Sequence, residues 1–307
     1  MHSILETQNQ PLQKKRLRAQ RRLYDEVRFR KSVRIWSVIL LNAFWIIYAT
    51  LVLQSNLFLV AGSGLLVITE ILLEKLWQEP VHRKAVLIQE LFDTHVLKLT
   101  WNDNVHEIPP PVDYVALWSD RYDEQKYSKA PLENWYSPEV GQVPLEYGRL
   151  CCQFSNIDWD VSLRSRYIRW FVFLTACVVA TALVLLIVFG EKVINQYWFL
   201  IACILPPGRI LWAETTRNLD SIRNLRSIRQ RMELKWRDVL TGQLPVATLE
   251  TAARDWQQLI FNHRLLSPVL PGHYYLRIRP EEETKMNKGC KALVEEVLRA
   301  LKNLEGD

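Results

Sequence analysis

Along the chain, apolar positions gather into two blocks, and each block reads as a helical hairpin. The first opens with VRIWSVILLNAFWIIYATLVL (33–53), a run without an acid or a base after Arg34. Its length of about 21 residues makes roughly 30 Å of helix, the thickness of a bilayer's hydrocarbon core. Three polar residues, QSN, turn the chain, and LFLVAGSGLLVITEILLEKLW (57–77) returns. The second block repeats the plan with IRWFVFLTACVVATALVLLIVFG (168–190), the turn EKVINQ, and YWFLIACILPPGRILWA (197–213). A buried core helix can also be apolar throughout. Two long runs, each paired with a neighbour across a short turn, favour membrane spans instead. The pattern predicts a mainly α polytopic membrane protein with two transmembrane helical hairpins (four spans) and a composite cytoplasmic domain. The divisions are 1–32, a cytoplasmic basic amphipathic helix; 33–77, transmembrane hairpin 1; 78–167, a cytoplasmic segment; 168–213, transmembrane hairpin 2; and 214–307, a cytoplasmic helical C-terminal segment.

The polar segments carry their own periodicities. Residues 12–34 read as a helix with Leu17, Leu23, Tyr24, Val27 and Lys31 on one broad face and bases around the rest. This suits a helix lying on an anionic membrane surface, or a solvated charge run that fixes topology. After 77 an amphipathic helix continues, kinked or restarted by Pro80. From 107 to 150 the helical period fades, and Pro, Tyr, Trp and acids take over. So many aromatics predict an ordered loop or small domain rather than a disordered linker. Past the second block, Leu219, Ile222, Leu225, Ile228 and Met232 form an apolar arc on one long helix. A further helix is expected over 248–265, an extended stretch over PGHYYLRIRPEEE (271–283), and a last helix over 284–303.

Charge orients these elements. The 307 residues carry a net charge of +6, with a pI near 9.0. Ten Lys and Arg lie between Lys14 and Arg34, and others follow the second run, precede the third and follow the fourth, whereas the two hairpin turns hold only Lys192. Positive charge marks the cytoplasmic side, so both termini and the central segment are expected inside the cell. The polar stretch before the first run is too long for the charged region of a cleaved secretory signal, and that run is expected to stay. The five cysteines, Cys151, Cys152, Cys177, Cys203 and Cys290, sit in spans or in the reducing cytoplasm, where disulfides are not expected. Cys151 and Cys152 have no second pair at a metal-ligand spacing and read as packing residues.

Four segments outside the apolar blocks bear a family likeness: LRAQRRLYDEVRF (17–29), ENWYS (133–137), CQFSNIDWDVSLRSRYIRW (152–170) and ARDWQQLIFNHRLLSPVLPGHYYLRIRPEEETKM (253–286). In this order around two hairpins the chain resembles the SMODS-associated four-transmembrane effector family, over almost its whole length. The resemblance implies a pore-forming effector of a bacterial anti-phage system, in the inner membrane, multi-pass. Its implied partners are the lipid bilayer, further copies of itself, and a cyclic oligonucleotide made by a nucleotidyltransferase, with no nucleic acid polymer. The alternative is a non-conducting membrane receptor or scaffold that recruits a partner. After the proline at 271 the family pattern has an acid and a Trp; this chain has Gly272 and His273.

The candidate chemistry follows from residue types. Pro206 and Pro207 lack N–H groups, so the fourth span is expected to break near Leu205 and restart. With Gly208 and Arg209 this stretch is either a hinge lining a gated water path or a kink that steers the helix into the cytoplasm. Glu70 is an interfacial carboxylate, a pore-lining one, or the partner of Arg209. Ala61–Gly64 and the pair Ala176 and Ala180 allow close helix approach. No Walker loop, HExxH or GxSxG elbow is present; no enzymatic activity, catalytic residue, cofactor or metal is expected. In DWD, Asp160 is expected to cap a helix starting at Val161. A cyclic oligonucleotide offers phosphates to arginines and bases to aromatic rings. The candidates are Trp135, Tyr136, Trp159, Arg164, Arg166, Arg264, Tyr274, Tyr275 and Arg277.

Overall fold

A computed structural model describes residues 3–53, 55–103, 108–128, 132–193, 197–243 and 245–306, and among them there is no strand. The helices are α1 (Ser3–Gln8), α2 (Pro11–Tyr48), α3 (Asn56–Leu73), α4 (Glu79–Val96), α5 (Val112–Asp120), α6 (Leu145–Val193), α7 (Tyr197–Leu240), α8 (Val246–Leu266) and α9 (Gly272–Gly306). A π-helical turn, Ala49–Leu53, follows α2, and a second, Glu74–Gln78, joins α3 to α4. The chain divides into two compact units. The first comprises Met1–Asp25, His82–Ser165 and Ser221–Asp307; the second comprises Glu26–Val81 and Arg166–Asp220. Helices α2, α4, α6 and α7 each contribute residues to both units.

The first unit has a continuous apolar core. Leu17 of α2, Phe92 and Val96 of α4, Leu150, Phe154 and Ile157 of α6, Leu225, Ile228 and Met232 of α7, Trp256 of α8 and Val297 of α9 are all buried in it. Phe154, fully buried, meets Trp236 and Trp256 edge-on at 5.3 and 5.5 Å. Edge-to-face contact sets the positive rim of one ring against the negative face of the next. The loop after α4 turns sharply at Lys98, whose φ is 50°. Arg149 secures it by donating from Nε to the Leu97 carbonyl (2.7 Å) and from Nη2 to the Lys98 carbonyl (2.9 Å). The segment from 132 to 143 contains a 3-10 turn, Pro138–Gln142. Gln8 of α1 grips the backbone of Tyr136 in both directions, accepting from its N–H (2.8 Å) and donating to its carbonyl (3.3 Å).

Three expectations are corrected here. The basic N-terminal helix does not lay its apolar face on lipid, because Leu17, Leu23 and Val27 are fully buried in protein. The stretch 271–283 is helical rather than extended: α9 begins at Gly272, with the Tyr275 N–H on the Pro271 carbonyl at 3.0 Å. Alternation in YYLRIR imitates a strand, but Pro271 opens a first helical turn readily and Pro280 is absorbed within the helix. Asp160 caps nothing, since α6 runs through it from Leu145. Its carboxylate instead pairs with Arg164 one turn on (2.9 Å) and with His263 of α8 (3.0 Å).

The second unit carries the apolar helices. Two helical stretches, Pro11–Leu53 and Leu57–Val96, are long and apolar enough to cross a membrane. Their most apolar 18-residue windows are only 24% and 22% buried, where a core helix of a soluble protein would be mostly buried. Trp36, Leu40, Phe44, Ile47, Leu57, Leu65 and Leu72 stand outward. Close approach occurs where Trp45 of α2 meets Gly62 of α3: a Cβ on Gly62 would fall 2.1 Å from the indole. The Trp45 indole N–H reaches the Phe58 and Leu59 carbonyls at 3.2 Å. Gly64 has open space around it. The third and fourth expected spans lie within the helical backbone of α6 and α7, but the turn at 194–196 and most side chains from 181 to 200 lie outside the described residues.

The burial of Leu17 yields a prediction. Leu17→Ala should lower unfolding stability by about 2–5 kcal/mol, as for other fully buried leucines. Phe29→Ala, at an exposed position of the same helix, should change it little. Thermal unfolding of the detergent-solubilised protein checks both. Equal small effects would mean that the Leu17 face does not pack on protein.

Candidate functional site

In the second unit the proline pair produces no break. Helix α7 is continuous through Pro206 and Pro207, so the expected interruption near Leu205 is corrected. The physical reason lies on α2. Pro206 cannot donate to the carbonyl four residues back, which is that of Ala202. Asn42 Nδ2 donates to that carbonyl at 3.2 Å, and Ser63 of α3 donates to Asn42 Oδ1 at 2.9 Å. Asn42, Ser63 and Ala202 are all buried. The carbonyl freed by proline thus finds a side-chain donor inside the protein, as backbone in an apolar medium must. Pro206 is buried and Pro207 half-buried; a Cβ on Gly208 would meet only Ile204, at an ordinary 3.5 Å.

Glu70 belongs to a buried ionic cluster in the same unit. Arg34 Nη1 lies 2.6 Å from Glu70 Oε1 and 3.0 Å from Glu74 Oε2. Arg209 Nη1 lies 2.6 Å from Glu70 Oε2, and Arg217 pairs with Glu74. Glu70, Glu74 and Arg34 are each 5% exposed or less. Glu70 is therefore enclosed by protein, and Arg209 is one of its two cationic partners. Three arginines face two glutamates, which joins α2, α7, α3 and the π-helical turn after it by charge. Nearby on the same helices, Lys31 meets Glu214 at 2.7 Å, and Tyr167 donates to Glu214 at 2.9 Å. Residue types alone singled out Glu70 and Arg209. They missed Arg34, Glu74 and Arg217, although Glu70 and Glu74 stand four apart on one helical face.

The nine proposed ligand residues separate in the structure. Eight lie in the first unit; Arg166, half-buried on α6, lies in the second. Tyr136 and Arg264 meet at one carboxylate: Tyr136 donates from its hydroxyl to Asp93 Oδ1 at 2.7 Å, and Arg264 Nη1 donates to Asp93 Oδ2 at 2.5 Å. Asp93 sits with Glu90, Gln153 and Gln257 in a fully buried polar network. Gln257 donates to Glu90 Oε2 at 2.7 Å, and Gln153 donates to the Ala253 carbonyl at 2.7 Å. Burial, and next the charge of Asp93, push the Glu90 carboxyl up to about 7. The Tyr136 ring stacks on Phe92 and is shut inside the core, so it offers no face to a base. Arg164 is likewise committed, to Asp160 and to the Pro268 carbonyl at 2.9 Å. Tyr274 reaches the Leu163 carbonyl at 3.5 Å. Trp159 is half-buried and Arg277 exposed. Trp135 and Tyr275 are brought together by Arg279, whose guanidinium carbon lies 6.0 Å and 5.9 Å from their ring centroids. Arg279 escaped the sequence reading because Tyr275 and Arg279 share a face only if 272–283 is helical.

Among the described residues no group of three or more His, Cys, Asp or Glu could hold a metal ion. The chain is mainly helical, with two largely unburied apolar helices of spanning length, the features of a helical membrane protein. The model of the SMODS-associating 4TM effector domain matches residues 2–293, and the chain belongs to that family. Comparison with curated proteins and with solved structures gives no match.

Two measurements test this geometry. Asn42→Leu should destabilise the protein by about 1–3 kcal/mol, the cost of an unmet buried carbonyl. Pro206→Ala should remove most of that cost, because an alanine at 206 supplies the missing donor. A double-mutant cycle by thermal unfolding reads the coupling; simple additivity would mean that Asn42 does not serve the Ala202 carbonyl. Glu90 sets a pH dependence. The unfolded chain loses the Glu90 proton near 4.5, whereas the folded protein keeps it to about 7. Folded stability should therefore fall as pH rises through that window, by at most about 1.4 kcal/mol per pH unit from this group. Glu90→Gln should flatten the decline between pH 5 and 7, and an unchanged slope would contradict the assignment.

Proposed function

We propose that this chain is the membrane effector of a bacterial anti-phage nucleotide-signalling system. It would permeabilise the inner membrane when a cyclic oligonucleotide, or the nucleotidyltransferase that makes it, engages the first unit. The family match carries this reading: its description couples an effector role, four transmembrane segments and association with SMODS proteins. The unburied apolar windows of the first two spans support residence in lipid. By the distribution of Lys and Arg, both termini face the cytoplasm.

In this reading Glu70, Arg209 and the Pro206–Pro207–Gly208 stretch act together at the inner ends of the spans. The five-charge cluster is a clasp that holds the resting arrangement. Charges buried this way are costly to separate unless each finds another partner or water. Opening exchanges their mutual contacts for water in a conducting path. A bundle of four helices has no room for an aqueous lumen, so several protomers assemble around it. A ligand favours that state only by binding it more tightly than the closed one. None of these roles requires an enzymatic step.

The test is induced expression in bacteria carrying a membrane-potential dye, with and without a cyclic nucleotide synthase. Potential should collapse only with both. In Glu70→Gln one arm of the clasp is lost, so collapse should begin at lower synthase expression. A potential that stays intact while the protein is present in the membrane and the synthase is active would favour a non-conducting receptor and overturn the effector reading.

A further inference from the structure

The first unit contains a stack of rings and guanidinium groups that the network around Asp93 does not use. Tyr122 lies on Tyr127, centroids 5.3 Å apart and 13° from parallel. Arg21 of α2 sits over Tyr127 at 5.3 Å and over Trp135 at 5.6 Å. Arg279 of α9 continues the series, over Trp135 at 6.0 Å and Tyr275 at 5.9 Å. Three separate parts of the chain thus converge: α2, the loop that follows α5, and the first turns of α9. Arginine over aromatic faces is favourable, and that alone would account for a packing role.

Arg279 does not fit a packing role alone. It is only 4% exposed, and Nη2 donates to Glu283 at 3.0 Å. Among the described residues, its buried Nε and Nη1 atoms have no hydrogen-bond partner. Buried guanidinium N–H groups are rarely left unmet, because desolvation is then uncompensated. Acids of these segments have partners among the described residues: Glu283 with Arg279, Glu282 with Lys285 at 3.1 Å, Glu124 with Arg18 at 2.7 Å, and Asp25 with Lys126 and the Tyr127 hydroxyl, both at 2.7 Å. What the two nitrogens lack is a set of acceptor oxygens bearing negative charge. A phosphoryl group presents several such oxygens, and its charge would be offset by Arg279 and by Arg21, which also lies within 5.6 Å of the Trp135 ring centroid.

We infer that Arg279, braced between Trp135 and Tyr275, is a binding site for a phosphoryl oxyanion. The phosphodiester of a small cyclic nucleotide is the source that fits the ring-lined setting. The identity of that ligand rests on the proposed function; the oxyanion chemistry does not. No step of bond making or breaking is involved.

The experiment uses the full chain in detergent micelles, in phosphate-free buffer, with calorimetric titration of 3′,5′-cyclic di- and trinucleotides and, separately, inorganic phosphate. The wild type should bind at least one cyclic nucleotide, and Arg279→Met should weaken it about ten- to a hundredfold, the worth of charge-assisted hydrogen bonds. Arg279→Lys should lie between. Without ligand, Arg279→Met should melt at or above the wild type, because it removes a buried cation with unmet donors. Cyclic nucleotide binding undiminished in Arg279→Met would overturn this site while leaving nucleotide sensing intact. Binding of inorganic phosphate alone, lost in Arg279→Met, would support the site and overturn the nucleotide reading. A lower melting temperature for ligand-free Arg279→Met, or no binding of any probe by the wild type, would overturn the site.

Discussion

A charge withdrawn from water has to be met by another, and the second unit is organised around that constraint. Its apolar helices gain little from packing on each other if lipid surrounds them, since lipid tails are as apolar as leucine. Polar contacts then supply much of what holds such helices in register. Glu70 and Glu74 bring two negative charges into the interior and Arg34 a positive one, and the half-buried Arg209 and exposed Arg217 pair with them. Once the carboxylates are buried, the positions of the arginines are dictated, and so are the helices that bear them. The amide of Asn42 applies the same rule to an uncharged group, meeting a backbone carbonyl that proline has left without a donor.

The first unit solves a related problem by different means. Its core is large and apolar, yet Glu90, Asp93, Gln153 and Gln257 are sealed within it. Each polar group is linked to the next, so that Arg264, Tyr136 and Asp93 form a chain of hydrogen bonds from α8 to α4. Such networks add little net stability and much uniqueness, because a shifted helix would strand several partners at once. The stack through Arg21, Trp135 and Arg279 differs in leaving donor atoms of Arg279 unmet. In the network around Asp93 it is an acceptor, Gln153 Oε1, that finds no partner among the described residues.

Sequence patterning made the two apolar helices of the first block plain, because long runs without charge have few other uses. It also marked Glu70 and Arg209, since ionisable residues beside apolar runs stand out. Their partners were not legible: Arg34 and Arg217 look like ordinary topology charges until the helices are brought together. The prolines at 206 and 207 misled for a similar reason. Their effect on α7 depends on whether a donor waits on another helix, and Asn42, from 160 residues earlier in the chain, carries no sign of that task. YYLRIR read as a strand because alternation of apolar and polar side chains over six residues does not distinguish the two periods. That error hid the partnership of Tyr275 with Arg279. Tyr136 and Arg264 had the right chemistry for a ligand, but Asp93 claimed both.

The amide of Asn42 has a direction. Its oxygen faces the hydroxyl of Ser63 and its nitrogen faces the Ala202 carbonyl, so neither rotation nor replacement by a look-alike is neutral. An aspartate has the same shape, but it would set one carboxylate oxygen against a carbonyl oxygen in surroundings without water to separate them. Hydrolytic ageing of this one side chain would exchange NH2 for O and turn an attraction across the bundle into a repulsion. The pairing of α2 with α7 in the second unit then depends on which atom that one side chain presents.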